Sequence, residues 1–443
     1  MADARPFHWE YHPEQPVPEA FRIEGGRPLR GTVHVSGAKN AALKLLAAAV
    51  LTGERCRFEN MPEIEDVRVM AGVLTDLGVV VDHPGAGVYE VAAGDVDWLF
   101  VPLEAAAKMR ASFILLGPLL SRFGHVIISN PGGDRIGRRP VNLHVDAMRA
   151  LGADIAYRNG YYFAQAPGRL RGGDVEFPFV TVMGTENAML AACLAEGTTT
   201  IHPAAQEPEV DDLVAFLVKM GAEVERTQPD TIVVHGQRRL RGATHAVVPD
   251  RIETGTFLVA AAVTGGHLLL ENAACQHIGA LIEVFERAGV PVACGERTIE
   301  VDASGMRPGD LRAVDIETAP YPLLATDLQP NVCVMLTQAA GTSHVHEAIF
   351  EDRLEWMSEL RKLGAKVDIL DPHHASIDGP VRLHGAEASI GDLRAGASLI
   401  LAALAAEGTS LIHGAHHVHR GYENIDRKFQ QLGASITRSA DTA

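Results

Sequence analysis

Asn130-Pro-Gly-Gly-Asp-Arg-Ile-Gly-Arg-Arg-Pro140 puts one carboxylate, Asp134, on a Pro-Gly-Gly turn with Arg135, Arg138 and Arg139 within five residues. These residue types fit two chemistries. As a surface turn, the arginines offset the aspartate and do little more, since exposed ion pairs contribute about 0–1 kcal/mol. As an anion site, guanidinium forks grip a phosphate or carboxylate and hold an acid–base carboxyl in their field. The rest of the chain makes the cluster conspicuous: 39 Lys and Arg stand against 56 Asp and Glu, a net charge of −17. That balance argues against a general nucleic-acid binder, which carries a basic face. A local arginine cluster still sets the potential of one cleft.

At 443 residues the chain has room for two or three domains with cores of their own. The five cysteines, at 56, 193, 275, 294 and 333, are odd in number, scattered and free of any C-x-x-C. They read as reduced thiols of a cytoplasmic protein, with neither a disulfide framework nor a zinc site. The first 20 residues have no apolar core, so they read as a flexible tail and not a signal peptide. No apolar stretch approaches a membrane span. The four histidines of "HGAHHVHRG" (413, 416, 417 and 419) match no familiar metal-ligand spacing and read as a polar loop.

These groups need elements to hold them, and the elements repeat. An apolar-Gly-small-apolar phrase recurs at Gly78, Gly152, Gly221, Gly289, Gly364 and Gly433, with spacings of 74, 69, 68, 75 and 69 residues. Each glycine ends an amphipathic pattern such as "EVDDLVAFLVKMG", and a left-handed C-cap explains it. Before each amphipathic pattern comes a β-like stretch. Before several of these, a small-residue helix appears, as in "GAKNAALKLLAAAVL" and "GASLILAALAAEG", too apolar all round for a surface. Six units divide into two domains of three, with the break near residues 247–255.

Longer phrases carry a resemblance. "VSGAKNAAL" (35–43), "MRASFILLGPL" (109–119), "PGGDRIGRRPVNLH" (131–144), "LAEGTTTIHPAAQEPEV" (194–210), "PDRIETGTFLVAAA" (249–262), "TDLQP" (326–330), "DLRAGASLILA" (392–402) and "HRGYENID" (419–426) occur in order. With them the chain, from about residue 21 to 438, resembles the UDP-N-acetylglucosamine 1-carboxyvinyltransferase family, the enolpyruvyl transferases of peptidoglycan synthesis. The resemblance implies an α/β (α+β) fold of two domains, an inside-out α/β barrel with six βαβαββ repeats, three per domain. Residues 40–248 would form the first domain, with the mobile catalytic loop. Residues 21–39 plus 249–443 would form the second, and the chain would cross near Lys39 and Pro249.

It also implies a reaction: the enolpyruvyl group of phosphoenolpyruvate moves to the 3′-hydroxyl of UDP-N-acetylglucosamine through a tetrahedral intermediate, releasing phosphate. No metal or other cofactor is expected, no nucleic-acid or membrane partner, and a monomer or weak homo-oligomer. By motif position, Lys39, Arg139 and Arg420 would bind phosphate, and Arg353 and Arg394 the carboxylate. Arg110 would close over the site, and Asn40 would fix the sugar and the intermediate. Asp327 matches the base for the sugar hydroxyl, and Ile349 belongs to the same sugar site. Arg139, Pro140, Val141, Asn142 and Leu143 match the uracil segment, with His144 positioning the loop; Glu207 and Glu253 read as carboxylates that are structural or support the site residues. Most members carry Cys where this chain has Asp134 and a minority carry Asp, so Asp134 would be the proton donor. Fosfomycin alkylates that Cys thiolate, so the chain is expected to be insensitive to it.

Four departures touch the acceptor side: Asn142 for the usual Asp, Phe179 where some members have Lys, "LATDLQ" for "FPTDLQ" and His419 before Arg420. They keep two alternatives open, another uridine nucleotide as acceptor or a non-catalytic UDP-sugar-binding paralogue.

Overall fold

The structure is a computed structural model and describes residues 19–134 and 136–440. Arg135 and all but the last two residues of the expected N-terminal tail lie outside the described residues. Among the described residues, twelve helices of six residues or more pair along the chain: α1 (Lys39–Ala48) with α2 (Glu65–Asp76), α3 (Leu116–Phe123) with α4 (Asn142–Ala150), and α5 (Val182–Ala192) with α6 (Pro208–Lys219). In the second half, α7 (Arg251–Thr264) pairs with α8 (Gly279–Ala288), α9 (Gln329–Leu336) with α10 (Met357–Lys362), and α11 (Leu393–Ala405) with α12 (Ile425–Gln431). The first member of each pair is largely buried, and α1, α5, α7 and α11 are rich in small residues. In α1 every residue but Asn40 is buried, because Ala, Leu and Lys stems let neighbouring helices approach on all sides. In α2 the buried set is Asp66, Val67, Met70, Val73 and Leu74, one face at helical spacing.

The six repeat glycines all adopt the left-handed conformation, with φ of 92° at Gly78, 87° at Gly152, 91° at Gly221, 88° at Gly289, 96° at Gly364 and 96° at Gly433. Each stops an amphipathic helix and turns the chain into the next strand, at a φ where any Cβ is strained.

Six sheets accompany the six helix pairs. Each runs in one order: a strand parallel to the next, then two antiparallel neighbours. Two sheets borrow strands from the N-terminal segment. Residues Glu19–Glu24 lie between 409–413 and 435–440, antiparallel to both, with Phe21 opposite Ile412 and Arg438. Residues Arg30–His34 run parallel to His267–Glu271. Buried apolar residues form two clusters, one from 38–247 and one from 21–35 with 252–436. Helices α7, α9 and α11 pack on one another inside the second.

The chain passes between the clusters twice, and the two passes touch. Gly37 bridges Pro249, Ala38 N–H donates to Val248 O at 2.7 Å and Asp250 N–H donates to Ser36 O at 2.9 Å. A Cβ on Gly37 would sit 1.8 Å from Asn60 O, so only glycine fits. Asp250 accepts from Ile252 and Glu253 N–H to cap α7, and also from Lys39 N–H at 3.0 Å. Glu253, buried, accepts from Ser36 N–H at 2.7 Å and pairs with Lys428.

One expectation is corrected here. Cys275 and Cys294 form a disulfide, with Cα atoms 5.9 Å apart across 19 residues of sequence. Linear spacing showed no pairing because a short turn and the edge strand Val292–Cys294 meet only in the folded lobe. Cys56, Cys193 and Cys333 are free and buried, and burial pushes the Cys56 thiol up to about 11 and the Cys193 thiol up to about 12. No helix among the described residues is long and apolar enough to cross a membrane.

Candidate active site

The charged side chains gather where the two lobes face each other. Lys39 opens α1, its backbone fixed by Asp250 and its side chain buried. Its Nζ lies 2.7 Å from Asp66 Oδ2, and Asp66 opens α2 with 3% of its side chain exposed. From the other lobe Arg420 presents Nε to Asp66 Oδ1 at 3.0 Å and Nη2 to Oδ2 at 3.3 Å. Arg420 Nη1 also contacts Asp134 Oδ1. Burial pushes the Lys39 ammonium down, helped by Arg394 and Arg420 and opposed by Asp66. Burial would raise Asp66, but Lys39 and Arg420 hold its carboxyl below the usual range.

The Asp134 loop is seated on both lobes. Arg139 Nη2 donates to Asp134 O at 2.5 Å, and Arg138 N–H donates to Glu351 Oε1 at 2.9 Å, a partner from the second lobe. Its glycines are needed for close packing. A Cβ on Gly132 would meet Ala107 O at 2.0 Å; Gly133, at φ 115°, would press on Arg110 Cβ at 3.0 Å. Arg110 starts a 3-10 turn beside Arg139 and has no carboxylate partner among the described residues. Burial, with Arg139 adding to it, pulls its guanidinium down to about 10.

A second ion centre lies within the second lobe. Asp327 precedes α9 and accepts from Arg353 Nη2 at 3.1 Å and Arg394 Nε at 3.0 Å. Arg394 stands in the first turn of α11 because Asp392 caps that helix, accepting from Arg394 and Ala395 N–H. Desolvation opposes ionisation of Asp327, yet Arg394 and Arg353 hold it far below the ordinary carboxylate range. Arg353 Nε and Arg394 Nη1 are buried and have no hydrogen-bond partner among the described residues.

Between the centres is a cavity of about 300 Å³. Asn40, Arg139, Asp327 and Ile349 line it, with Lys44, Glu207, Glu209 and Arg251 along its polar wall. Buried Glu347 positions the Ile349 segment, accepting from Ile349 N–H at 3.0 Å and Phe350 N–H at 3.2 Å. Arg251 Nε lies 3.0 Å from Glu209 Oε1, across the lobe boundary. Lys44 Nζ is 3.5 Å from Glu186 Oε2; burial, with Glu207 and Glu209 nearby, raises the Glu186 carboxyl to about 7 against the pull of Lys44.

The structure thus brings Lys39, Asn40, Asp134, Arg139, Asp327, Ile349, Arg353, Arg394 and Arg420 to one cleft, with Arg110 at its edge. Pro140, Val141, Asn142 and Leu143 lead into α4 and do not line the cavity. His144 is buried against Asn187 (Nδ1 to Nδ2, 3.1 Å), and burial lowers it to about 3, so it is neutral. Glu207, read from sequence as a structural or site-supporting carboxylate, borders the cavity. Sequence reasoning missed Asp66, Glu209 and Glu347. Only Asp66 left a trace, in "EIEDVRV", where it reads as an ordinary acid in a helix's first turn.

The family model for EPSP synthase (3-phosphoshikimate 1-carboxyvinyltransferase) matches residues 23–429. A UDP-N-acetylglucosamine 1-carboxyvinyltransferase of Shewanella denitrificans is 45% identical over 95% of this chain and 99% of its own length. One of Acinetobacter baylyi is 44% identical over 95% of this chain and 99% of its own. Among solved structures, the enolpyruvyl transferase NikO from Streptomyces tendae superposes with a TM-score of 0.86 at 26% identity, covering 96% of this chain and all of that one. The buried charges between the lobes and the phrases that place them are therefore those of an enzyme: the chain belongs to the EPSP synthase family, among its UDP-N-acetylglucosamine 1-carboxyvinyltransferases.

Proposed function

We propose that the enzyme transfers the enolpyruvyl group of phosphoenolpyruvate to the 3′-hydroxyl of UDP-N-acetylglucosamine, releasing phosphate, in the first committed step of peptidoglycan precursor synthesis. The observation that carries this reading is the cation set: Lys39 and Arg420 meet on Asp66, Arg353 and Arg394 meet on Asp327, and Arg139 lines the cavity that Asp327 also borders. Phosphoenolpyruvate carries a phosphate and a carboxylate, and two cation groups suit two anions. Lys39, Arg139 and Arg420 take the phosphate. Arg353 and Arg394 take the carboxylate with the N–H groups that Asp327 leaves unpaired.

Addition needs an acid at the methylene carbon and a base at the sugar hydroxyl. Once the substrate phosphate takes Arg420, Asp134 in its protonated form donates its proton to the methylene carbon; the hydroxyl oxygen bonds the adjacent carbon and gives its proton to Asp327. Elimination returns a methyl proton to a carboxylate, and the C–O electrons leave with phosphate. Asp327 is a weak base while two guanidiniums hold it. It gains basicity as the substrate carboxylate draws those arginines away.

In this reading residues 40–248 move as one domain against 21–39 plus 249–443, and the contact of Arg138 with Glu351 belongs to the closed form. Asn40 and Ile349 hold the sugar, Arg110 screens the site and the 140–143 segment faces the uracil. The enzyme works in the cytoplasm, as a monomer or weak homo-oligomer. Carrying Asp134 in place of a thiol, it is not inactivated by fosfomycin; time-dependent loss of activity with a covalent mass increase would contradict that.

The test is phosphate released from phosphoenolpyruvate with and without UDP-N-acetylglucosamine, for wild type and Asp134→Asn. Release that depends on the UDP-sugar and collapses in the variant is the expected result. Release with a different uridine nucleotide alone would reassign the acceptor, for which Asn142 in place of the usual Asp gives a reason.

A further inference from the structure

Arg420 offers an oxyanion its best grip along the Nε–Nη2 edge, where two parallel N–H groups match two oxygens. In this protein that edge is taken. Asp66 accepts from Nε at 3.0 Å and from Nη2 at 3.3 Å, while its Oδ2 also lies 2.7 Å from Lys39 Nζ. The remaining arm, Nη1, contacts Asp134. Two cations are thus balanced by two carboxylates of the chain itself. Asp66 has little room to leave, since it is buried at the start of α2, whose Val67, Met70 and Val73 are packed into the first lobe's core.

We propose that Asp66 is a built-in competitor of phosphate: a positioning carboxylate that yields the Arg420 edge and Lys39 to the substrate and takes them back as phosphate departs. This rests on reading Lys39 and Arg420 as the phosphate's partners. A dianion between those cations lies beside a fixed negative charge that it has displaced. Phosphoenolpyruvate offsets the displacement with its carboxylate on Arg353 and Arg394. Free phosphate has no second anion to spend there, so it binds weakly and leaves fast. Asp66 therefore separates substrate from product by the number of anchors each possesses.

The sign of one binding change tests this. Inorganic phosphate alone is titrated calorimetrically into the full-length protein as wild type, Asp66→Asn, Asp66→Ser, Asp66→Glu and Lys39→Met, each checked for a native melting transition. The two neutral variants should bind phosphate at least tenfold tighter and show product inhibition at correspondingly lower phosphate. Asp66→Glu, which keeps the charge, should stay within about threefold of wild type, and Lys39→Met should bind more weakly. A carboxylate that merely scaffolds the two cations predicts the opposite sign. Phosphate binding that needs Lys39 but is unchanged or weaker in both neutral variants overturns the proposal. Phosphate binding indifferent to Lys39→Met overturns the site assignment and the proposal with it. The reaction assignment is judged separately, by acceptor-dependent phosphate release from the wild type.

Discussion

The two ion centres of the cleft are built differently. Asp327 with Arg353 and Arg394 belongs wholly to the second lobe and is set by the ends of α9 and α11. In the other centre Asp66 and Asp134 come from the first lobe, Arg420 from the second and Lys39 from the crossing between them. The first centre is formed whenever its lobe is folded. The second exists only when the lobes meet. In the proposed reading such a cleft would hold one end of its substrate with a rigid receptor and the other through closure, tying assembly of the proposed catalytic set to a bound anion.

Breaking the closure-dependent centre should cost most. Asp134→Asn, which keeps the shape and removes the acid, should lower kcat about 10²- to 10⁴-fold with phosphoenolpyruvate binding retained, read by steady-state kinetics and direct titration. The one-lobe centre should respond with a split. Asp327→Asn should lower kcat about 100-fold, yet also lower KM for phosphoenolpyruvate, because Arg353 and Arg394 are left wholly to the substrate carboxylate. If KM rises instead, Asp327 holds the arginines in place and does not compete for them.

A third test uses the pair buried inside the first lobe, Lys44 with Glu186. The folded-state pKa of Glu186 is raised to about 7, above its unfolded value. Its protonated form is therefore favoured by folding. The resulting stability is full at pH below about 4.3 and is lost as pH rises through about 7, at a limit of about 1.4 kcal/mol per pH unit. Wild type should lose roughly 1 kcal/mol between pH 6 and pH 8 that Glu186→Gln does not, seen as a flatter melting-temperature profile in the variant. The smallest effect should come from the rim. Glu351→Gln weakens the acceptor for Arg138 N–H at an exposed contact, so kcat/KM should fall only a few-fold and melting should not change.

Much of this was legible in the residues. The glycine phrase exposed the repeat because a left-handed helix end is a local demand that one residue type meets. The small-residue helices announced their burial by lacking a polar face. Lys39, Arg394 and Arg420 lay within phrases long enough to carry their positions. What stayed hidden depends on distance along the chain. Asp66 is ordinary until Arg420, 354 residues later, turns toward it. Glu209 gains meaning only beside Arg251, and Cys275 only beside Cys294.

The strand Glu19–Glu24 sits between two strands, 409–413 and 435–440, from the far end of the sequence. During synthesis, everything its first partner needs is still unmade while the first lobe emerges complete, its ends already side by side at Gly37 and Pro249. The first lobe is in effect a cassette spliced into a second lobe that begins early and finishes last. The nascent chain must keep an unpaired β-edge waiting until residues 435–440 leave the ribosome, and loss of that strand alone would leave the edge uncovered.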